Sequence, residues 1–229
     1  MLLDSVPPPE QRIDTTDTFT FSCHSGLACF NRCCRNKHLP LTPYDGLRLK
    51  TALGLHSDDF LSEYTLYSPD PHSAFPIISL KMGDDPQKVC PFVGSNGCRV
   101  YKDRPTACRL YPLGRASGKK QGQTTGDEFF FRLDTPACLG VEEKKVCRVD
   151  AWREEQGLNP YIEMNDKMLG ILFHPNRVRT MPLNEGQVQK VMVSCYNLDL
   201  FREFIFKTRF LESLDRKSTR LNSSHVSIS

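Results

Sequence analysis

Apolar residues recur at helical spacing in some parts of the chain and give way to other patterns elsewhere. From Leu41 to Gly54 (LTPYDGLRLKTALG), Leu47, Leu49 and Leu53 supply apolar contacts. Thr42 suits the N-cap, Pro43 the first helical position and Asp45 the positively polarised first turn, and Gly54 ends the helix. Ser57-Asp58-Asp59 opens a second short helix carrying Phe60, Leu61 and Tyr64. The period then changes. AFPIISLKM, residues 74–82, is rich in β-branched and aromatic residues and reads as a strand, and EFFFRL, residues 128–133, as another that pairs with it or with a neighbour. Between them the stretch from Cys90 to Tyr111 is loop-rich, and KKQGQTTG, residues 119–126, reads as an exposed hairpin tip. From Asp150 the helical pattern returns: Asp150 caps AWREEQ up to Gly157, Pro160 opens YIEMNDKMLGILF, and two more helices cover residues 185–196 and 198–214.

The ends read differently. Pro7-Pro8-Pro9 can continue neither a helix nor a central strand, and the Thr/Asp run after it lacks apolar periodicity, so residues 1–20 read as a flexible lead-in. The stretch DRKSTRLNSSH, starting at Asp215, resembles the translation of a sequencing-adapter oligonucleotide, and residues 215–229 are set aside from fold reasoning as an artefact. What remains divides into a cysteine-cluster metal-binding domain at 21–149 and a helical extension at 150–214 packed on it. The expected fold is α+β: a small cysteine-rich metal-binding domain with a short antiparallel sheet and flanking helices. No internal repeat is evident.

With 39% hydrophobic and 25% charged residues in 229, composition excludes wholesale disorder. The formal charge of +3 falls to +1 without residues 215–229, which hold Arg216, Lys217, Arg220 and Asp215; neither nucleic acid nor an anionic membrane is implied as a partner. The longest nearly apolar run, Met168 to Phe173, is far short of the roughly 20 residues that span a bilayer. The first residues lack a basic segment and meet Asp4 and three prolines early, unlike a signal peptide, so the expected location is the cytoplasm.

One count departs from the ordinary. The chain has 10 Cys, more than packing needs, and in a reducing compartment that points to metal or redox chemistry rather than disulfides. Eight of them form two groups: Cys23, Cys29, Cys33 and Cys34, then Cys90, Cys98 and Cys108 with Cys138 further on. A tetrahedral Zn²⁺ site or an iron–sulfur cluster takes four thiolates, and loops with Gly26, Asn31, Gly94, Asn96 and Gly97 let amides turn toward sulfur. Eight thiolates can fill two such sites, while seven or fewer can hold one cluster and leave thiols unused; four plus four is the expected partition. Neighbouring side chains tend to point apart, so Cys33 and Cys34 are expected to serve two metals, or one metal and one packing position. Cys147 and Cys195 read as ordinary buried thiols. Arg32, Arg35, Lys37, Arg99, Lys102, Arg104, Arg109 and Arg115 all stand near a cysteine in sequence, where cations offset the negative charge of a thiolate site. Asp103 to Arg109 reads as a short helical turn presenting Cys108 near its positive end. His24 and His38 flank the first group as secondary ligand candidates.

The segments FSCHSGLACFNRCCRNKHLPLTPYDGLRLK, CPFVGSNGCRVYKDRPTACRLYPLG and CLG resemble the YkgJ-type cysteine-cluster family of zinc- or iron-chelating domains, from about Phe21 to Gly140. The resemblance implies that Cys33, Cys34, Cys90, Cys98, Cys108 and Cys138 are metal ligands. The family often begins with a tighter Cys-x2-Cys, where this chain has Cys23-x5-Cys29. It also includes flagellin lysine N-methylases, in which methyl transfer is linked to an iron–sulfur cluster.

Three functions follow from these residues. The first is a metalloprotein holding iron–sulfur or zinc, with iron–sulfur favoured because the spacings lack paired Cys-x2-4-Cys knuckles and the surround is Arg-rich; its minimum function is electron transfer. The second is a cluster-dependent lysine N-methylase acting on a protein substrate, which would use S-adenosylmethionine in a groove next to Arg109 and Tyr111. The third is a structural zinc module that binds a protein partner. Asp58-Asp59, Asp84-Asp85 and Glu142-Glu143 read as capping and turn residues, and Trp152 as core.

Overall fold

The computed structural model describes residues 7–68, 75–118, 127–172, 174 and 183–211. Its elements, in chain order, are β1 (Thr18–Thr20), α1 (Pro43–Leu53), α2 (Ser57–Tyr64), β2 (Thr65–Ser68), β3 (Ile77–Leu80), β4 (Val93–Gly94), β5 (Gly97–Cys98), α3 (Thr106–Leu110), β6 (Leu113–Gly118), β7 (Asp127–Arg132), β8 (Val146–Arg148), α4 (Val149–Glu155), α5 (Asn159–Leu172), α6 (Glu185–Cys195) and α7 (Leu198–Lys207). The fold is α+β, with the strands in antiparallel pairs: β1 with β8, β2 with β3, β4 with β5 and β6 with β7. Among the described residues no helix is long and apolar enough to cross a membrane.

Local chemistry explains the helix that matters most for the site. Thr42 and Asp45 form a reciprocal capping box at the start of α1, Pro43 stands in its first turn, and Gly54 closes it at φ 67°, a left-handed conformation that glycine adopts without steric cost. The strand expected over residues 74–82 is the shorter β3, and Ala74 lies outside the described residues. The strand expected over 128–133 is β7, and it pairs with β6 rather than with β3. Residues 119–126, expected as a hairpin tip, and 215–229, expected as adapter sequence, also lie outside the described residues. Helix α7 runs to Lys207, short of the expected residue 214.

Part of the stretch read as a flexible lead-in is built into the core. Ile13 exchanges backbone hydrogen bonds with Phe130 (2.8 and 2.9 Å), and β1 puts Phe19 inside, 2% exposed. A three-residue strand with one buried aromatic is too short to show a period of two.

Two apolar clusters organise the molecule. The first gathers Phe19 and Phe21 with Trp152 from α4, Leu113 and Phe130 from β6 and β7, and Leu158 and Ile162; both phenylalanines meet Trp152 edge to face. The second gathers Leu41, Leu49, Phe60, Leu80, Phe92 and Val100. Helix α7 fastens to the second: the Asp199 carboxylate accepts from the Ser57 amide and hydroxyl (both 2.8 Å) and from Lys50 Nζ, while Tyr196 donates to the Leu41 carbonyl (3.1 Å).

Candidate metal centre

The chain from Cys23 to Cys34 crosses between the two clusters as a series of tight turns. Asn31 adopts φ 65°, and a 3-10 turn over Arg32–Cys34 follows. At the entry of this loop the Ser22 amide donates to the Gly140 carbonyl (3.0 Å), which brings the segment carrying Cys138 alongside the one carrying Cys23. Cys29 is buried, and its sulfur accepts a hydrogen bond from the Leu139 amide (3.3 Å). Cys138 packs against the first apolar cluster.

At the other end of the loop the Cys90 amide donates to the Cys34 carbonyl (2.8 Å), a cross-link reinforced by the Arg35–Val89 bridge. Cys98 pairs with Val93 in the β4–β5 hairpin, and the Val93 amide donates to the Cys90 carbonyl (3.1 Å). Cys90 and Cys98 both pack against the second cluster. Cys108 comes from α3, whose first amide, that of Thr106, donates to the buried Asp45 carboxylate (2.8 Å). Asp45 thus caps α1 and anchors α3 together. The Thr42-x-x-Asp45 spacing discloses the first role, while the second depends on a contact 61 residues away.

Electrostatics follows the same division. The Cys23 thiol is pushed up, first by partial burial and then by Cys33, Cys138 and Cys29. Cys108 keeps exposed surface, yet protein packed around its thiol, then Cys90 and Cys98, push it up to about 12. Cys90 is raised mainly by burial and further by Cys98. Burial also raises Cys98, against the Arg104 and Arg99 charges, which pull it down. Cys33 and Cys34 join the two sets. The Cys34 thiol hydrogen-bonds the Cys33 sulfur, holding Cys33 below the usual thiol range and Cys34 above it; Cys34 is raised further by burial and by Cys90 and Cys108. The two adjacent thiols influence each other, but their other thiol neighbours differ.

Cys23, Cys29, Cys33 and Cys138 thus form one neighbourhood and Cys34, Cys90, Cys98 and Cys108 another. Among the described residues no three Cys, His, Asp or Glu side chains are drawn together into a finished metal-binding group. The donor type, thiolate, suits a thiophilic metal.

The cations divide. Lys37 lowers Cys33, and Arg104 lowers Cys23, Cys98 and Cys108. Arg109, in contrast, is 7% exposed with its guanidinium spent on the carbonyls of Arg104 (2.9 Å), Gln156 and Lys102 and on the Tyr161 hydroxyl (3.1 Å), rather than turned to a groove. Arg115 is paired with Glu128 and Asp166. His24 lies 3.9 Å from Glu143, and His38 Nε2 stands 3.2 Å from the Ser79 hydroxyl. Cys147 is buried with its thiol aimed at the Phe21 carbonyl (3.6 Å), and Cys195 is half-buried on α6. Tyr111, named in the sequence only as the wall of a cofactor groove, instead stands beside the first thiol neighbourhood: burial first, and then Cys138, push its hydroxyl pKa up.

A family model of cysteine-cluster (CxxCxxCC) proteins, described as "Putative zinc- or iron-chelating domain", matches residues 22–139, the stretch that holds both neighbourhoods. No curated protein and no solved structure matches the chain.

Proposed function

The chain belongs to the cysteine-cluster family of zinc- or iron-chelating domains, and from that premise we propose that it is a metalloprotein whose eight clustered cysteines hold metal in two four-thiolate sites. Cys23, Cys29, Cys33 and Cys138 form one site, and Cys34, Cys90, Cys98 and Cys108 the other. The observation that carries the reading is a pair of cross-links: the Cys90 amide donates to the Cys34 carbonyl (2.8 Å), while the Leu139 amide, next to Cys138, donates to the Cys29 sulfur (3.3 Å). An iron–sulfur cluster is favoured over zinc in at least one site. The Leu139 amide already donates to Cys29 sulfur, Arg104 and Arg99 lower the thiols near them, and the second group, Cys90-x7-Cys98-x9-Cys108, has no Cys-x2-4-Cys knuckle to match the Cys29-x3-Cys33 of the first. Bound there, a cluster would supply one-electron transfer. The protein's own residues hold the thiols in reach of one another, donate hydrogen bonds to sulfur and offset negative charge.

The experiment is anaerobic purification of the full chain, followed by its visible spectrum and its iron, sulfide and zinc content. A brown protein with iron and acid-labile sulfide in stoichiometric amounts is the expected result, and it makes S-adenosylmethionine binding the next measurement. A colourless protein with tightly held zinc overturns the iron–sulfur assignment and leaves a zinc module. A protein that holds neither metal overturns the proposal.

A further inference from the structure

Resting on that two-site reading, we infer that the sites are unequal: Cys34, Cys90, Cys98 and Cys108 retain a structural metal, while Cys23, Cys29, Cys33 and Cys138 form an exchangeable site that gives up its ion to a soluble thiol or chelator. The difference lies in what holds the sulfurs. In the second site each ligand is fixed by a bond between separate segments or by the core: Cys90 to the Cys34 carbonyl (2.8 Å), Cys98 to the hairpin that closes on Cys90, and Cys108 to α3 and thence to Asp45. Cys90 and Cys98 pack on apolar side chains, as Cys138 does in the first site, so the distinction lies in the backbone bonds. Opening that site to a chelator requires breaking backbone contacts and uncovering part of a core.

The first site is held more lightly. Cys23 and Cys33 are exposed, as are His24, Ser25 and Gly26, whereas Cys108 is the one exposed cysteine of the other four. The loop that carries them is braced largely by turns within itself, Leu27 amide to His24 carbonyl (3.2 Å) and Phe30 amide to Leu27 carbonyl (2.9 Å). Beyond the Ser22–Gly140 anchor, its bond to the Cys138 segment runs through a sulfur, that of Cys29. Local opening of such a segment costs less than opening a packed one, and exposed sulfurs leave an incoming ligand a path to the ion. The exchange is a ligand substitution: the divalent ion leaves as the chelator complex, the four thiolates take up protons, and no electrons move.

The test loads the reduced full chain with zinc chloride under anaerobic conditions, counts the bound zinc, and then adds an excess of a chromophoric chelator. Half of the zinc is expected to leave about tenfold or more faster than the rest. Alkylation with iodoacetamide once the fast half has gone, followed by mass mapping, is expected to label Cys23, Cys29, Cys33 and Cys138 and to spare the other four. Cys138→Ser removes the fast phase and leaves the slow one. Two equivalents leaving in one phase, or early label on Cys90 and Cys98, overturn the inference and leave the two-site reading standing. Fewer than two equivalents at loading overturn that reading, and the inference with it.

Discussion

Asp45 and Thr106 are joined by two hydrogen bonds, from the Thr106 amide (2.8 Å) and from its hydroxyl (2.7 Å), both to one carboxylate oxygen. The other oxygen accepts from the Thr42 amide (2.9 Å). A side chain only 1% exposed therefore starts one helix and fixes the next, two residues before Cys108.

Replacing that carboxylate should be costly. Asp45→Ala strands the Thr42 and Thr106 amides in a buried place, and a loss of about 3 kcal/mol is expected, since each unmet donor costs roughly 1–3 kcal/mol. Asp45→Asn keeps one acceptor oxygen and should lose about half as much. Denaturant unfolding at fixed metal occupancy measures both; equal stability to the unmodified protein would refute the anchoring role.

Arg109 offers a second stability test. Its planar guanidinium reaches three carbonyls and lies 4.4 Å from the Tyr161 ring centre. A lysine ammonium is a point charge and cannot span those acceptors, so Arg109→Lys should lose about 2–4 kcal/mol. Tyr161→Phe removes one bond, about 1 kcal/mol, and an unfolding series ranks the two.

Much of this frame is legible in the sequence. The cap, proline and glycine of α1 announce its limits, and the spacing of cysteines announces the metal family. The partner of β7 is not legible, because β6, with the sequence LGRASG, lacks the β-branched and aromatic residues that announce a strand. Nor is the sorting of Cys138 toward Cys23, which rests on the backbone bond between Ser22 and Gly140 and on the Leu139 amide's bond to the Cys29 sulfur. The burial of Arg109 was hidden too, since its acceptors are backbone carbonyls and every sequence has those.

Stability should depend on acid through Asp199. The Lys50 ammonium first, and then the Ser57 hydroxyl and amide, hold this carboxyl well below the usual range. A carboxyl depressed in the folded state adds stability that is complete above its unfolded pKa of about 3.9 and is lost as pH falls toward the folded value. Asp199→Asn should therefore lower the unfolding temperature by an amount that is constant from neutral pH down to about pH 5 and shrinks below about pH 4. His56 Nε2 lies 3.8 Å from the same carboxylate, so both proteins are compared with His56→Gln in place. A gap that changes between neutral pH and about pH 5 would contradict the assignment.

The adjacent cysteines separate two sites from one. With two sites, Cys33→Ser and Cys34→Ser each lose a different equivalent of metal, and Cys34→Ser loses the one that Cys98→Ser also loses. Metal analysis with mass mapping of the protected thiols reads the result. Identical total loss in both variants would mean a single shared site.

Gly140 tests how the first neighbourhood is assembled. A Cβ at this position would stand 2.6 Å from the Ser22 carbonyl oxygen and 3.0 Å from the Phe21 ring, and the first of these is backbone that cannot rotate away. Gly140→Ala must therefore push apart the two strands of chain that carry Cys23 and Cys138, and it weakens the Ser22 amide to Gly140 carbonyl bond that joins them. Gly114 makes the control: a Cβ there would meet only the Phe131 side chain, which sits on the β6–β7 pair, in a segment that carries no cysteine. If the Ser22–Gly140 contact assembles the first group, Gly140→Ala loses about one equivalent of metal and leaves Cys34, Cys90, Cys98 and Cys108 protected from alkylation, whereas Gly114→Ala keeps both equivalents whatever it costs in stability. Full metal retention by Gly140→Ala would show that Cys138 reaches its neighbours without this contact.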